Sequence, residues 1–256
     1  VLAGYTFDGW FDAAGNKVVA GTTTVPSAAT TYTAKFTVNN YKVNFVADGQ
    51  TIATGDYAFG TKISTIVPAY TAPAGFTFEG WSTDGSTVIE FTDDVTVPVN
   101  GVTYYAVIEA NAGVKYTIKT YLQNVGGAGY TPQADEVAYG TTGETITYVP
   151  AAKEGFTLDD AQSKLVIDSL AGDGSSVVRV FYNRNTVSVT INGVEDTYYY
   201  DEVIEVEDPT PNDGYTFVEW VDDEGNTVTF PMNAPATDLV INPVYAPIKY
   251  AVTFTV

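Results

Sequence analysis

The sequence predicts a β-dominated α+β fold, built as a tandem array of small repeats, and three observations carry that prediction. Tyr, Val, Thr, Phe and Ile recur in short alternating runs, while stretches rich in Ala, Leu and Lys are scarce. A heptapeptide returns four times, at Gly4–Trp10, Gly75–Trp81, Gly155–Ala161 and Gly214–Trp220. Strand-like segments recur in the same order around it, the signature of repeats rather than of one large domain.

Residues 1–38 read as the C-terminal part of a repeat. The heptapeptide Gly4-Tyr-Thr-Phe-Asp-Gly-Trp10 is followed by the turn residues Asp12-Ala-Ala-Gly15-Asn16, a return through Val18, and a closing strand at Thr31–Phe36. The first complete repeat spans 41–110. Tyr41, Val43 and Phe45 alternate with Lys42 and Asn44, the period of a strand with one buried face. A Pro-containing stretch, Pro68–Pro73, suits a crossover loop with one helical turn. In the heptapeptide Phe76 and Phe78 share a face, but Trp81 has the opposite parity, so a bulge at Gly80 is required to return it to the core. Asp84-Gly85 turns the chain, Val88 returns it, and Thr103–Val107 closes the unit.

Residues 115–185 form a complete variant repeat, opening at Tyr116–Thr120 and closing at Val177–Tyr182, with Ala161 where the other copies carry Trp. Residues 186–248 form another complete repeat: Thr186–Thr190, a crossover through Pro209-Thr-Pro211, the turn Asp222–Asn226, Val228, and the closing strand Leu239–Tyr245. Tyr250, Val252, Phe254 and Val256 restart the opening pattern, so 249–256 reads as the first strand of a following repeat. The intervals between Gly4, Gly75, Gly155 and Gly214 are 71, 80 and 59 residues, which places insertions in loops and gives each unit its own core. The structural core is expected at Phe7, Trp10, Phe76, Phe78, Trp81, Phe156, Tyr215, Phe217 and Trp220, because large aromatic side chains are worth most when buried. The leading half-repeat and the orphan strand 250–256 point to a longer parent protein or to pairing with a neighbour's edge.

Composition narrows the function classes. The 256 residues carry a net charge of -20 and contain no Cys and no His, so Cys/His metal sites, Ser–His–Asp and Cys–His catalysis and thiol redox chemistry are excluded. The acidic pI of 4.1 argues against nucleic acid, and no apolar run is long enough for a membrane span. Acids are uneven: residues 186–248 hold 13 with no Lys or Arg, 41–110 hold 8 against 2 bases, and 115–185 hold 8 against 6. The clusters Glu202, Glu205, Glu207, Asp208 and Asp222, Asp223, Glu224 offer oxygen ligands but lack an Asp-x-Asp-x-Asp-Gly calcium loop, and solvated charge is the simpler meaning. No carboxylate pair is singled out for glycoside chemistry. Lys42 and Lys119 are the strand lysines that an internal amide cross-link would need, yet 186–248 contains no Lys at all. In Tyr198-Tyr199-Tyr200 successive residues alternate faces, which makes the triplet a candidate contact surface. The sequence therefore assigns no catalytic, metal or cofactor-binding residue and no cofactor.

The combination Tyr-x-Val, Tyr-Gly, Gly-[Tyr/Phe]-Thr-Phe-x-Gly-Trp and Thr-x-Tyr-Ala resembles the Listeria–Bacteroides repeat family, also called internalin B-repeats. The unit 115–185, with Tyr116–Asn124, Gly140–Gly143 and Phe181–Asn185, resembles a variant that echoes mucin-binding-type modules. The resemblance implies a β-grasp (ubiquitin-like) fold for each repeat, strung into an elongated rod on the outside of a bacterial cell. It implies a non-enzymatic stalk or adhesin scaffold of a surface, cell-wall or secreted protein, its partners a cell-surface protein, a glycan or other copies of itself. A subunit of an extracellular filament assembled by strand pairing, and a glycan-binding module, are the alternatives. Linkers of a few residues, Ala110–Val114, Asn183–Asn185 and Ala246–Ile248, leave little freedom between units.

Overall fold

The computed structural model describes residues 2–255; Val1 and Val256, the end positions of the first and last expected segments, lie outside the described residues. The chain divides into two compact units, Val1–Asn111 and Ala112–Val256.

The first unit contains six strands: β1 (Tyr5–Phe11), β2 (Thr33–Val38), β3 (Asn40–Ala47), β4 (Gln50–Ala58), β5 (Phe76–Ser82) and β6 (Val102–Ala110). A 3-10 turn at Ile63–Thr65 is the one helical segment among the described residues; it lies in the crossover between β4 and β5, ahead of the Pro68–Pro73 stretch rather than within it. β1 and β2 form an antiparallel pair. The other four make a sheet ordered β4-β3-β6-β5, in which β6 runs parallel to β3, Val43 opposite Val102, and antiparallel to β5. Period-2 alternation does the sorting: Val43, Phe45 and Ala47 face inward and are buried, and Lys42 faces out. Phe45 stacks on Tyr104 (5.4 Å) and meets the edge of Trp81 (5.0 Å), so one aromatic cluster ties the two central strands to β5.

The second unit contains β7 (Val114–Gln123), β8 (Tyr130–Pro132), β9 (Glu136–Gly140), β10 (Ile146–Thr147), β11 (Phe156–Leu158), β12 (Val166–Ile167), β13 (Val177–Arg184), β14 (Thr186–Ile191), β15 (Val194–Tyr199), β16 (Val203–Ile204), β17 (Tyr215–Asp222), β18 (Thr227–Val228), β19 (Met232–Asn233) and β20 (Leu239–Pro247). Two sheets repeat the arrangement of the first unit. In one, β13 runs parallel to β7 and antiparallel to β11, while β8 and β9 share the role of second strand on the other edge of β7. In the other, β20 runs parallel to β14 and antiparallel to β17, with β15 and β18 at the edges. Each sheet covers its own cluster, around Val178 and Val180 in the first case and Val189 and Ile241 in the second.

The expected bulge is present. Register slips between Phe78 and Gly80, and likewise between Phe7 and Gly9 and between Phe217 and Glu219. The extra residue restores Trp81 and Trp220 to the core face, where they are 4% and 5% exposed. β11 stops at Leu158 without a bulge, and Leu158, Leu165 and Tyr148 complete that core in place of a Trp.

Four expectations need correction. Trp10 and Phe7 are 52% and 45% exposed, because among the described residues β1 and β2 pair only with each other and no hairpin covers that face. Tyr215 is 49% exposed: the second heptapeptide position lies at the end of the strand, beyond the core. Phe76, at the equivalent place, is half-buried outside the core cluster, while Phe78, Phe156 and Phe217 pack against their cores. Residues 249–255 form no strand and leave Tyr250, Val252 and Phe254 exposed, since an alternating pattern acquires faces only when a neighbour supplies the ladder.

Burial ranks the aromatic residues. Phe45→Ala should destabilise the 41–110 sheet by about 3–5 kcal/mol, whereas Trp10→Ala should change stability by less than about 1 kcal/mol. Denaturant titration followed by NMR signals of the two units checks both.

Candidate functional site

The heptapeptide glycines share more than a motif. Gly4, Gly75, Gly155 and Gly214 all adopt left-handed φ, between 71° and 84°. Their carbonyls turn toward the residue that follows the closing strand. The Asn39 N–H donates to Gly4 C=O (2.9 Å), Asn111 to Gly75 (2.8 Å) and Asn185 to Gly155 (2.9 Å). The next-but-one residue completes the grip. Thr6 Oγ1 donates to Asn39 Oδ1 (2.6 Å), Thr77 to Asn111 (2.7 Å) and Thr157 to Asn185 (2.7 Å). At the fourth copy Ile248 supplies the backbone bond to Gly214 (2.7 Å) but has no amide side chain for Thr216.

In two places this asparagine is also the whole linker. Asn39 alone separates β2 from β3, and Asn185 alone separates β13 from β14. Each then accepts a bond from the following sheet: Phe59 N–H to Asn39 C=O (2.8 Å), and Tyr200 N–H to Asn185 C=O (2.8 Å). The rings of Phe59 and Tyr200 pack against Gly4 and Gly155, so close that a methyl group on either glycine would overlap the ring. Phe59 meets the edges of Tyr5 (6.0 Å) and Tyr41 (6.4 Å), and Tyr200 the edge of Phe156 (5.8 Å). At these two junctions the second heptapeptide position meets the ring of the following sheet, Tyr5 outside any core cluster and Phe156 while also packing on its own core.

The junction at Asn185 carries an additional lock. Arg184 donates from Nε to Gln123 C=O (3.0 Å) and from Nη1 to Tyr200 C=O (2.7 Å), and its guanidinium lies 4.8 Å from the Phe156 ring centre. Of the tyrosine triplet, Tyr198 packs on the sheet's own core. Tyr199 lies against Gly127, and Tyr200 makes the contacts just described.

A second recurring device holds the turns that follow Trp10, Trp81 and Trp220 and the one that ends the Gly155–Ala161 heptapeptide. The Asp12 carboxylate accepts the Ala14 and Asn16 N–H groups, Asp84 those of Ser86 and Thr87, Asp159 those of Ala161 and Gln162, and Asp222 those of Glu224 and Asn226, at 2.7–3.1 Å. These bonds favour the ionised form and hold all four below the usual 3.8. The leading causes are the Asn16 N–H for Asp12, the Thr87 N–H for Asp84, the Gln162 side chain for Asp159 and the Asn226 side chain for Asp222. Asp222, from one of the clusters weighed for calcium, is therefore a turn residue. Among the described residues no group of three His, Cys, Asp or Glu side chains is arranged to hold a metal. Neither strand lysine enters a core: Lys42 is exposed, and Lys119 forms a surface ion pair with Asp135 (2.9 Å). The sequence reading missed the linker asparagines. Their signal was an Asn 33, 34 and 28 residues after the heptapeptide threonine, at the entrance to an opening strand.

Gly155→Ala should destabilise the junction by about 1–3 kcal/mol through left-handed strain and overlap with Tyr200, seen as faster amide exchange at Asn185 and Tyr200. The turn aspartates have folded pKa values below their unfolded ones, so their contribution is present above about pH 4 and is lost as pH falls through the lower folded values. Thermal melts between pH 7 and pH 2 should show that loss, and Asp84→Asn should flatten it for the 41–110 sheet.

Residues 41–107 match the Listeria-Bacteroides repeat domain, and residues 2–40 and 183–249 each match the divergent InlB B-repeat domain. Internalin H of Listeria monocytogenes serovar 1/2a (strain ATCC BAA-679 / EGD-e) is 32% identical over 112 residues, which cover 42% of this chain and 20% of that protein. The match thus spans about a fifth of that relative's length. The crystal structure of Mub-RV is similar across 58% of this chain and 100% of its own, at 14% identity and a TM-score of 0.17, a likeness too low to carry an argument. Repeats of the InlB type are typical of bacterial surface proteins and are generally non-catalytic, and no helix among the described residues is long and apolar enough to cross a membrane. With both repeat models matching in tandem, the chain belongs to the Listeria–Bacteroides repeat family, the internalin B-repeats.

Proposed function

We propose that the chain is a non-catalytic stalk of a bacterial surface or secreted protein, a series of β-grasp-like repeats that holds an adhesive region at a distance. The repeats run over 1–38 in part, 41–110, 115–185 and 186–248. The observation that carries this reading is the one-residue linker bonded at both its N–H and its C=O. A spacer transmits position only if its joints resist bending, and Asn39 and Asn185 each tie the preceding heptapeptide to the following sheet through two backbone bonds and an aromatic contact. The parallel pairing of first and last strands, with hairpins on either side, supports the β-grasp reading. The partner is a cell-surface protein, a glycan or another copy of the chain, met outside the cell.

Small-angle scattering tests the stalk. The expected particle is elongated, with a maximum dimension on the order of 100 Å; a radius of gyration near the roughly 18 Å of a compact 256-residue globule would overturn the proposal. Insertion of Gly-Ser-Gly after Asn185 should broaden the distance distribution without unfolding either neighbouring sheet.

A further inference from the structure

The same place in two sheets is filled in one and open in the other. In the 41–110 sheet, the residue five positions before the heptapeptide glycine is Tyr70. Its ring lies 5.1 Å from Phe78 and 6.1 Å from Trp81, and its hydroxyl donates to the Asp48 carboxylate (3.0 Å). In the 186–248 sheet the same position, counted from Gly214, is Pro209. No crossover tyrosine reaches Phe217 and Trp220, the counterparts of Phe78 and Trp81; Tyr245 meets Phe217 (6.2 Å) and Phe230 meets Trp220 (5.7 Å), and a cavity of about 280 Å³ opens beside them. It is lined by Val206, Phe217, Trp220 and Phe230 together with Asp208 and Glu219, the latter accepting a bond from Thr227 Oγ1 (2.7 Å).

Trp220 provides an independent sign of an occupant. The residue is 5% exposed and lines the cavity, yet its indole N–H, buried and a donor only, has no hydrogen-bond partner. A buried donor of this kind calls for an acceptor from outside the chain. The carboxylates call for a cation, in a repeat whose 13 acids face no Lys or Arg. A second cavity of about 440 Å³ adjoins along Val206 and Phe230 and adds Glu205 and Glu207 to the acidic wall.

We infer that this cavity is a docking site for an arginine-bearing extended segment of a partner protein. The guanidinium stem packs on the apolar lining residues, the planar head stacks on the aromatic residues and pairs with Asp208 and Glu219, and a peptide carbonyl of the segment accepts the Trp220 indole N–H. Anions are repelled by the same wall. A neutral ligand leaves Asp208 without a counter-charge, while Glu219 keeps only its bond from Thr227 Oγ1 (2.7 Å). The 41–110 sheet lacks the site because Tyr70 fills it from within.

The test is a titration of the full 15N-labelled chain with Ac-Gly-Arg-Gly-NH2, and separately with Ac-Gly-Gln-Gly-NH2, reading the three indole N–H signals. The arginine peptide should shift the Trp220 signal saturably and leave those of Trp10 and Trp81 in place, while the glutamine peptide shifts none. Asp208→Asn combined with Glu219→Gln, both on the wall and outside the core clusters, should weaken binding about tenfold or more. Pro209→Tyr, which restores the residue type of Tyr70, should abolish it. An unmoved Trp220 signal up to about 10 mM peptide, an equal response to the glutamine peptide, or undiminished binding by the carboxylate variant would overturn the inference. If Pro209→Tyr fails to fold, the carboxylate variant decides the matter.

Discussion

Everything else in this chain depends on the parallel pairing of the first and last strands in each complete sheet. β3 with β6, β7 with β13 and β14 with β20 all pair this way. Parallel neighbours start at one end of a sheet and finish at the other, so the chain that enters a repeat at one end leaves it at the opposite end. The next repeat can then begin within one residue, as it does after Val38 and after Arg184. An antiparallel central pair would return the chain to its entry point and require a long connection. The pairing also sets the core, because the alternating faces of the two central strands carry most of the fully buried side chains, among them Val43, Phe45, Val178, Val180, Val189 and Ile241.

Once the strands end where they do, the heptapeptide serves two purposes. Its aromatic residues at the fourth and seventh positions close the sheet's own core, helped by the bulge that reverses the parity of Trp81 and Trp220. Its first three positions face the exit of the closing strand: the glycine gives a carbonyl and an open face for a ring, the second residue gives an aromatic edge, and the threonine gives a hydroxyl. A side chain on Gly4 or Gly155 would deny the neighbouring ring its place, whereas at Gly214, with nothing within 4 Å, the left-handed φ alone favours glycine. Small sheets without disulfides have little stability to spare, so bonds that join one sheet to the next stabilise each of them as well as fixing the joint.

Departures from the pattern are as informative as the pattern. The sheet of β7, β11 and β13 carries Ala161 where the other copies of the heptapeptide have Trp, lacks the bulge, and fills its core with Leu158, Leu165 and Tyr148. The 186–248 repeat keeps its Trp but carries Pro209 in place of the crossover tyrosine, and four of its acids, Glu205, Glu207, Asp208 and Glu219, line the two cavities there. A repeat scaffold of this kind tolerates change in the crossover because the sheet's register is fixed elsewhere, by the hairpin and by the central parallel pair.

The sequence by itself determined the recurring motif, the strand faces, the bulge, Asp12, Asp84 and Asp222 as turn residues and the absence of Cys and His. Periodicity, turn residues and composition are local properties, and each is legible without knowing what lies across the sheet. Which aromatic residues are buried was decided only by tertiary structure. Phe7 and Trp10 carry the same motif as Phe78 and Trp81, yet they stay exposed because burial depends on the strands that pack over them. The same holds for residues 249–255, whose alternation matches that of β3 but whose ladder has no partner. The linker asparagines and the cavity beside Trp220 belong to this second class too: their meaning lies in contacts between residues about 30 positions apart in one case, and in the loss of a tyrosine from a distant crossover in the other.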